Sequence, residues 1–302
     1  MSFTRYSTHG FTMAALLTDV AEPLVGTVAT SRRTRRLSLS IWIPAVILGV
    51  MVAACFLGPF VFPVPNPNGG LESQALLAPF SPGHILGTDD LGNDILSRCL
   101  YGGRVSIEVG LGAVGLGLLA GTPLGMLAGY RGGTTDSLIM RFLDMFLAFP
   151  ALVLALAVAS YLGPNERDVI FAIGFFTVPA YARLARAATL RLGEQGFIAG
   201  AKLIGQRGRK IITHHVLPNV LPNLMTFGLL TVAIAIVVEA TLDYLGAGVR
   251  PPQPSWGSLI ATGQQYLSLA PWIALAPSCF LFITVTSLNL LGDAVRARLD
   301  AR

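Results

Sequence analysis

Six stretches of this chain are apolar for long enough to cross a bilayer, and polar or Gly- and Pro-rich segments separate them. A hydrocarbon core needs about twenty helical residues. The first run, 41–61, has no charged residue. The second, 105–130, places Gly117, Gly121, Gly125 and Gly129 four apart, so a helix there has one face nearly bare of side chains. In lipid no hydrophobic force drives helices together, and a bare face offers close backbone packing instead. These four glycines are therefore expected to lie against another helix. The third run, 138–161, contains Pro150, which predicts a kink that neighbouring helices tolerate. Runs at 169–188, 223–245 and 271–291 complete the set.

One polar, basic island of the chain, 188–219, interrupts this pattern. Within it Phe197, Ala201 and Ile204 fall at i, i+4 and i+7, which predicts a short helix with one apolar stripe and Lys202 turned away from it. Gly205 suits the left-handed position that often ends a helix. Arg207, Arg209 and Lys210 follow, and Pro218 restarts the chain toward the next apolar run. Such an element suits a lid, a membrane-surface helix or a docking helix for a soluble partner.

Composition agrees with a membrane protein. The 302 residues are 53% hydrophobic and 12% charged, where a soluble domain has about 25% charged. Mean hydropathy is +0.65. The net charge of +5 does not argue for nucleic acid, because membrane proteins collect Lys and Arg on their cytoplasmic side. Of the 21 Lys and Arg, only Arg98, Arg104, Arg167 and Arg250 fall on one side of a six-span arrangement. The remainder share the other side with both termini and the island, which is therefore expected to be cytoplasmic. In the N-terminal 38 residues, Arg32, Arg33, Arg35 and Arg36 follow a moderately apolar stretch rather than precede it, the reverse of a secretory signal. That segment reads as a cytosolic tail with room for a short surface helix. Cys55, Cys99 and Cys279 have neither metal nor redox spacing.

Enzyme machinery is not evident. The two lysines, Lys202 and Lys210, precede Leu203 and Ile211, so neither belongs to a phosphate-binding loop that needs Ser or Thr there. The adjacent His214 and His215 cannot both face one metal from one helix. Asp144, Glu239 and Asp243 are ionisable groups in or near apolar runs, where they must face protein or a water-filled cavity. They are candidates for the translocation path or its gate, or else they pair with backbone or Arg at a helix boundary. Asp89, Asp90 and Asp94 are expected to cap and orient the entry to the second run. Trp256 and Trp272 suit an interfacial aromatic belt.

The island sequence FIAGAKLIGQ at 197–206, with HVLPN at 215–219, resembles the EAA loop of membrane subunits of ATP-binding-cassette importers. Segments 86–107, 129–150, 239–260 and 289–300 resemble, in order, the dipeptide, oligopeptide and nickel branch of that family, and the second of its two sister permeases. The resemblance implies an all-α polytopic membrane protein of type I importer permease fold, with six spans and both termini cytosolic. It implies a tail at 1–38, a first span and extracytoplasmic segment at 39–104, a permease core at 105–294 with its coupling loop at 188–222, and a second tail at 295–302. Gly200, Ala201 and Gly205 match the motif's small residues, and Leu217 and Pro218 its closing pair. Ala199 stands where the motif usually has Glu, and Lys202, Arg207 and Arg209 complete the coupling set.

By the same resemblance this chain binds no cofactor, while ATP and Mg are held by partner ATPase subunits. The implied partners are a homologous sister permease, two ATPase subunits or domains, an extracytoplasmic substrate-binding protein and membrane lipid, with no nucleic acid. The implied cargo is peptide, with nickel chelates, haem and other solutes open. The implied place is the cytoplasmic membrane. The competing class is a secondary transporter using an ion gradient through carboxylates such as Asp144 and Glu239, which would show inverted repeats. No such repeat is visible.

Overall fold

A computed structural model describes residues 30–61, 65–163 and 165–300. Its main elements are helices: α1 (Thr30–Val61), α2 (Ile95–Leu116), α3 (Thr122–Arg131), α4 (Gly133–Leu147), α5 (Ala151–Leu162), α6 (Glu166–Gly193), α7 (Gly196–Leu203), α8 (Gly208–Ile211), α9 (Leu217–Tyr244), α10 (Trp256–Gln264) and α11 (Trp272–Asp300). Among the described residues extended pairing is limited to two isolated bridges, Ser81 with His84 and Thr88 with Asp94. The chain separates into two units, Met1–Leu39 and Ser40–Arg302, and helices α2 to α11 belong to the second. The surface helix expected before residue 30 lies outside the described residues.

Five helical stretches are long and apolar enough to cross a membrane, and a bent pair makes six if it counts as one span. That pair is α4 with α5, inclined at 83°. The kink expected at Pro150 is thus a full break. Pro150 has no N–H for a carbonyl one turn back, and its own ψ of 122° takes it out of the helix. The second span starts ten residues earlier than the apolar pattern implied, because Asp94 caps it: its Oδ1 accepts from the Ser97 N–H at 2.8 Å. Such a cap contributes about 1 kcal/mol. The His84 ring meets the other Asp94 oxygen at 2.8 Å, and Asp89 accepts from Asn93 N–H and from Arg98. The acids of this loop therefore shape the approach to α2.

Helix α6 is the central strut. The run from α2 through the π turn Gly117–Gly121 into α3 lies along it, and the four glycines face it in register. A Cβ on Gly125 would stand 2.1 Å from the Ala182 carbonyl oxygen, and one on Gly121 would stand 2.4 Å from that of Val178. Gly117 fits against Thr177 and Tyr181, and Gly129 against Arg186 and Thr189. The Thr177 hydroxyl donates to the Ala113 carbonyl at 2.8 Å, so polar atoms also join the two helices. Asp136 on α4 accepts two bonds from Arg186, at 2.5 and 2.6 Å, which ties the broken span to the same strut. Helix α9 packs on α2, α10 and α11. Fully buried Trp256 joins these layers, its indole N–H donating to the Cys99 carbonyl at 2.9 Å.

Backbone contact of this kind is sensitive to a single carbon. Gly125→Val is expected to lower the thermal midpoint by the equivalent of about 3 kcal/mol or to abolish the monodisperse species, since an overpacked core has no slack. Gly115→Ala, where nothing lies within 4 Å, leaves stability unchanged or slightly raised. Fluorescence-detected size exclusion after a temperature ramp measures both.

Candidate functional site

The basic island is built as a hook on the end of α6. Gln195 leads into α7, whose last turn closes with paired bonds: Gln206 N–H to Ala201 O at 3.1 Å and Gly205 N–H to Lys202 O at 3.0 Å. Gly205 has φ +72°, the left-handed residue such a closure requires. Helix α8, the π turn Ile212–Val216 and α9 then run on without a gap. Pro218 lacks the N–H that would bond one turn back, which accounts for the widened turn before it.

The exposed surface of α7 differs from the expected stripe. Ile198 and Ala201 are buried, packed into the cluster that holds Ile211 and Val216. Phe197, Leu203 and Ile204 are 49, 87 and 82% exposed. Ile204 parts from Ala201 because it follows the last helical turn and no longer obeys its periodicity, while Phe197, in the first turn of α7, is half exposed and Ile198 beside it is the buried residue. What results is an apolar ridge with Lys202, Arg207, Arg209 and Lys210 exposed around it. Ala199 is exposed too, and Gly200 half-buried. Leu217 and Pro218 sit at the start of α9, and Leu217 packs against the cluster that also buries Ile198 and Ala201 of α7.

Three residues fasten the hook, and one of them, Tyr130, was not singled out by the sequence pattern. Tyr130, at the end of α3, lies under the Lys202 ammonium at 5.4 Å from its ring centre and directly against Gly208. His215 meets Gln206 at 3.0 Å. An aromatic residue at the end of a span is common enough that nothing in the sequence marked Tyr130 as an anchor.

At the opposite end, Glu239 and Asp243 lie one turn apart on α9 and are buried, Glu239 completely. Asp243 accepts from the Val249 N–H at 2.7 Å and from the Ser255 hydroxyl, so it pins the segment 246–255 to α9. Glu239 has Asp243 and Ser106 as polar neighbours, inside the chain rather than on an open wall. Asp144, by contrast, is about half exposed and pairs with Arg183 at 2.5 Å. The structure therefore does not bring Asp144 together with Glu239. Beyond the spans, the Tyr266 hydroxyl donates to Asp90, whose charge pushes that phenol above the ordinary tyrosine range. Among the described residues no group of three or more His, Cys, Asp or Glu could hold a metal.

A helical bundle of five or six membrane-length spans, with a hooked basic surface at one end and packed carboxylates at the other, defines a polytopic membrane component. The chain belongs to the family of binding-protein-dependent transport system inner membrane components, whose model matches residues 121–302. It is 39% identical over 237 residues to the dipeptide transport system permease protein DppC of Alkalihalophilus pseudofirmus, covering 78% of this chain and 76% of that one. It is also 39% identical over 222 residues to the glutathione transport system permease protein GsiD of Pectobacterium atrosepticum, covering 74% of each. In fold it is similar to a chain of the MetNI methionine ABC transporter in an inward-facing conformation, with TM-score 0.55, 19% identity and coverage of 66% of this chain and 95% of that one. The chain is thus a multi-pass inner-membrane permease subunit, a non-catalytic component of an ABC transporter.

Two substitutions probe the two ends. Gly205→Val forces a β-branched residue into φ +72° and is expected to unwind the end of α7, raising amide exchange at 201–206 by tenfold or more while the spans stay protected. Asp243→Ala strands the buried Val249 N–H, at a cost of about 1–3 kcal/mol. Its readout is faster proteolytic cleavage within 246–255.

Proposed function

We propose that this chain is one of two permease subunits of a type I ATP-binding-cassette importer for peptides, and that α7 is the helix through which the ATPase subunits drive it. One observation carries the reading: an apolar ridge of Phe197, Leu203 and Ile204 stands out from the bundle amid basic side chains, on a helix whose other face is anchored. An amphipathic helix offered in this way suits a groove on a soluble partner. Ala199, Gly200, Ala201, Lys202, Gly205, Arg207 and Arg209 form that coupling surface, with Leu217 and Pro218 setting its exit into the next span. Ala199 stands exposed where the motif usually has Glu, so its methyl group offers a partner no carboxylate contact.

The distribution of Lys and Arg supports an orientation with the island and both termini in the cytosol. The core then comprises 105–294, the coupling loop 188–222, and the tails 1–38 and 295–302. A homologous sister permease supplies the other half of the pathway. Two ATPase chains hold ATP and Mg, and an extracytoplasmic binding protein delivers cargo. The DppC and GsiD relatives, named for dipeptide and glutathione transport, support a peptide cargo. Closure of the ATPases on ATP draws the coupling helices together, and the bundles rock between inward- and outward-facing states. For this to happen the ATPases must contact α7 differently in the two states, since equal binding shifts nothing. Tyr130 links the hook to α3, and the glycine contacts link α3 to α6, so movement of α7 is carried into the spans as one body. Asp144 does not serve an ion path in this reading, because Arg183 neutralises it; Glu239 and Asp243 hold the outer loop that borders the gate.

The test is ATPase activity of the assembled complex in lipid, with and without loaded binding protein. Leu203→Asp combined with Ile204→Asp is expected to cut the stimulated rate at least tenfold, about 1.4 kcal/mol of coupling, while the sister permease still copurifies. Undiminished stimulation in that variant would remove α7 from the mechanism.

A further inference from the structure

We infer that Glu239 and Asp243 share a single proton, and that this proton completes a ring of hydrogen bonds holding segment 246–255 against α2 and α9. Both carboxyls are buried, and neither Glu239 oxygen has a partner in strict hydrogen-bond geometry. The groups that face Glu239 are the Asp243 carboxyl one turn on, the Ser106 hydroxyl of α2, and Glu166 at the start of α6, which itself meets Glu108 of α2. Arg167 lies beside Glu166 and is exposed, as is Arg250 in the segment. Arg104 on α2 is turned to the Phe56 carbonyl, and α10 carries no charge. Among the described residues no Lys, Arg or His forms an ion pair with Glu239 or Asp243.

Two ionised carboxylates are acceptors only and cannot bond to each other. Burial without a donor, beside a like charge, drives one of them to take a proton. Asp243 is already supplied, its oxygens accepting from the Val249 N–H at 2.7 Å and from the Ser255 hydroxyl, so Glu239 carries the proton and donates it to Asp243. The Ser106 oxygen accepts from the Trp256 N–H at 3.3 Å, which leaves its own O–H for Glu239. The ring runs from Trp256 through Ser106, Glu239 and Asp243 to Ser255, and it closes because Ser255 and Trp256 are adjacent at the start of α10. A metal ion would balance the same charges but needs several oxygen ligands at about 2.0–2.6 Å. The packing leaves no room for one: a Cβ on Gly248 would overlap an Asp243 oxygen, and one on Gly257 would stand 2.5 Å from the Ala240 Cα. Because the folded segment binds the proton, rising pH removes it and sets two like charges one turn apart. The ring therefore holds in acid and neutral solution and opens in alkali.

Glu239→Gln copies the protonated acid, since its amide N–H donates to Asp243 and its carbonyl accepts from Ser106. The assembled complex in lipid is compared with this variant by infrared spectroscopy and by amide exchange. The spectrum of wild type minus variant at neutral pH is expected to show the carbonyl stretch of a protonated carboxyl group. Between about pH 7 and about pH 10, exchange protection at 249 and 255–258, corrected for the intrinsic rate, is expected to fall about tenfold in wild type and to hold in the variant. Protection along α6 is expected to hold in both, which separates a local opening from general alkaline unfolding. Absence of the carboxyl band, failure of the variant to assemble, protection in wild type that persists to the alkaline limit, or an equal loss in the variant or along α6 would each overturn the shared proton. Neither readout uses ATP, a binding protein or an assumed orientation, so the coupling role of α7 is tested apart from it.

Discussion

At Gly125 and Ala182 two helices meet backbone to backbone, and no side chain larger than hydrogen fits between them. Lipid supplies no hydrophobic drive for helix association, so dispersion over a close contact has to supply it. The four-residue spacing of Gly117, Gly121, Gly125 and Gly129 extends that contact along much of α6. Thr177 adds a hydroxyl bond to a carbonyl on the facing helix, and the Asp136–Arg186 pair adds a charged clasp near the end. These links turn α2, α3 and α6 into one stiff unit on which the broken span and the basic hook are mounted.

Stiffness at the strut gives meaning to the hook. Helix α7 is short, and isolated helices of eight residues do not hold in water. It persists because Ile198 and Ala201 are buried, because paired bonds close its end at Gly205, and because Tyr130 and His215 grip the residues around it. With one face anchored, the opposite face can remain apolar and exposed. The carboxylates at the far end follow another logic. Asp243 finds its donors in the segment it holds, Val249 and Ser255, and so fixes the course of the loop at 246–255 from inside the chain.

Much of this was legible beforehand. Run lengths and charge counts marked the spans, and the glycine spacing marked a face for packing without saying which helix it would meet. Gly205 was readable as a helix end because few residues other than glycine accept its conformation. Pro150 was readable as a disturbance, but its size was not: a proline within a membrane helix bends or breaks it according to what its neighbours offer the freed carbonyls. The apolar stripe on α7 was misdrawn at Ile204, since periodicity has no force past the last turn.

Local and compositional facts belonged to the sequence: which segments prefer lipid, which segment is basic, where glycine ends α7, and the resemblance that placed the chain among permeases. These depend on neighbours along the chain, through transfer energy, capping and backbone freedom. Tertiary structure alone decided that Asp144 pairs with Arg183, that Glu239 is sealed inside beside Ser106, and that Tyr130 anchors the hook. Each of those pairings joins residues far apart in sequence, and Coulomb and packing energies depend on distance in space, which no spacing along the chain encodes.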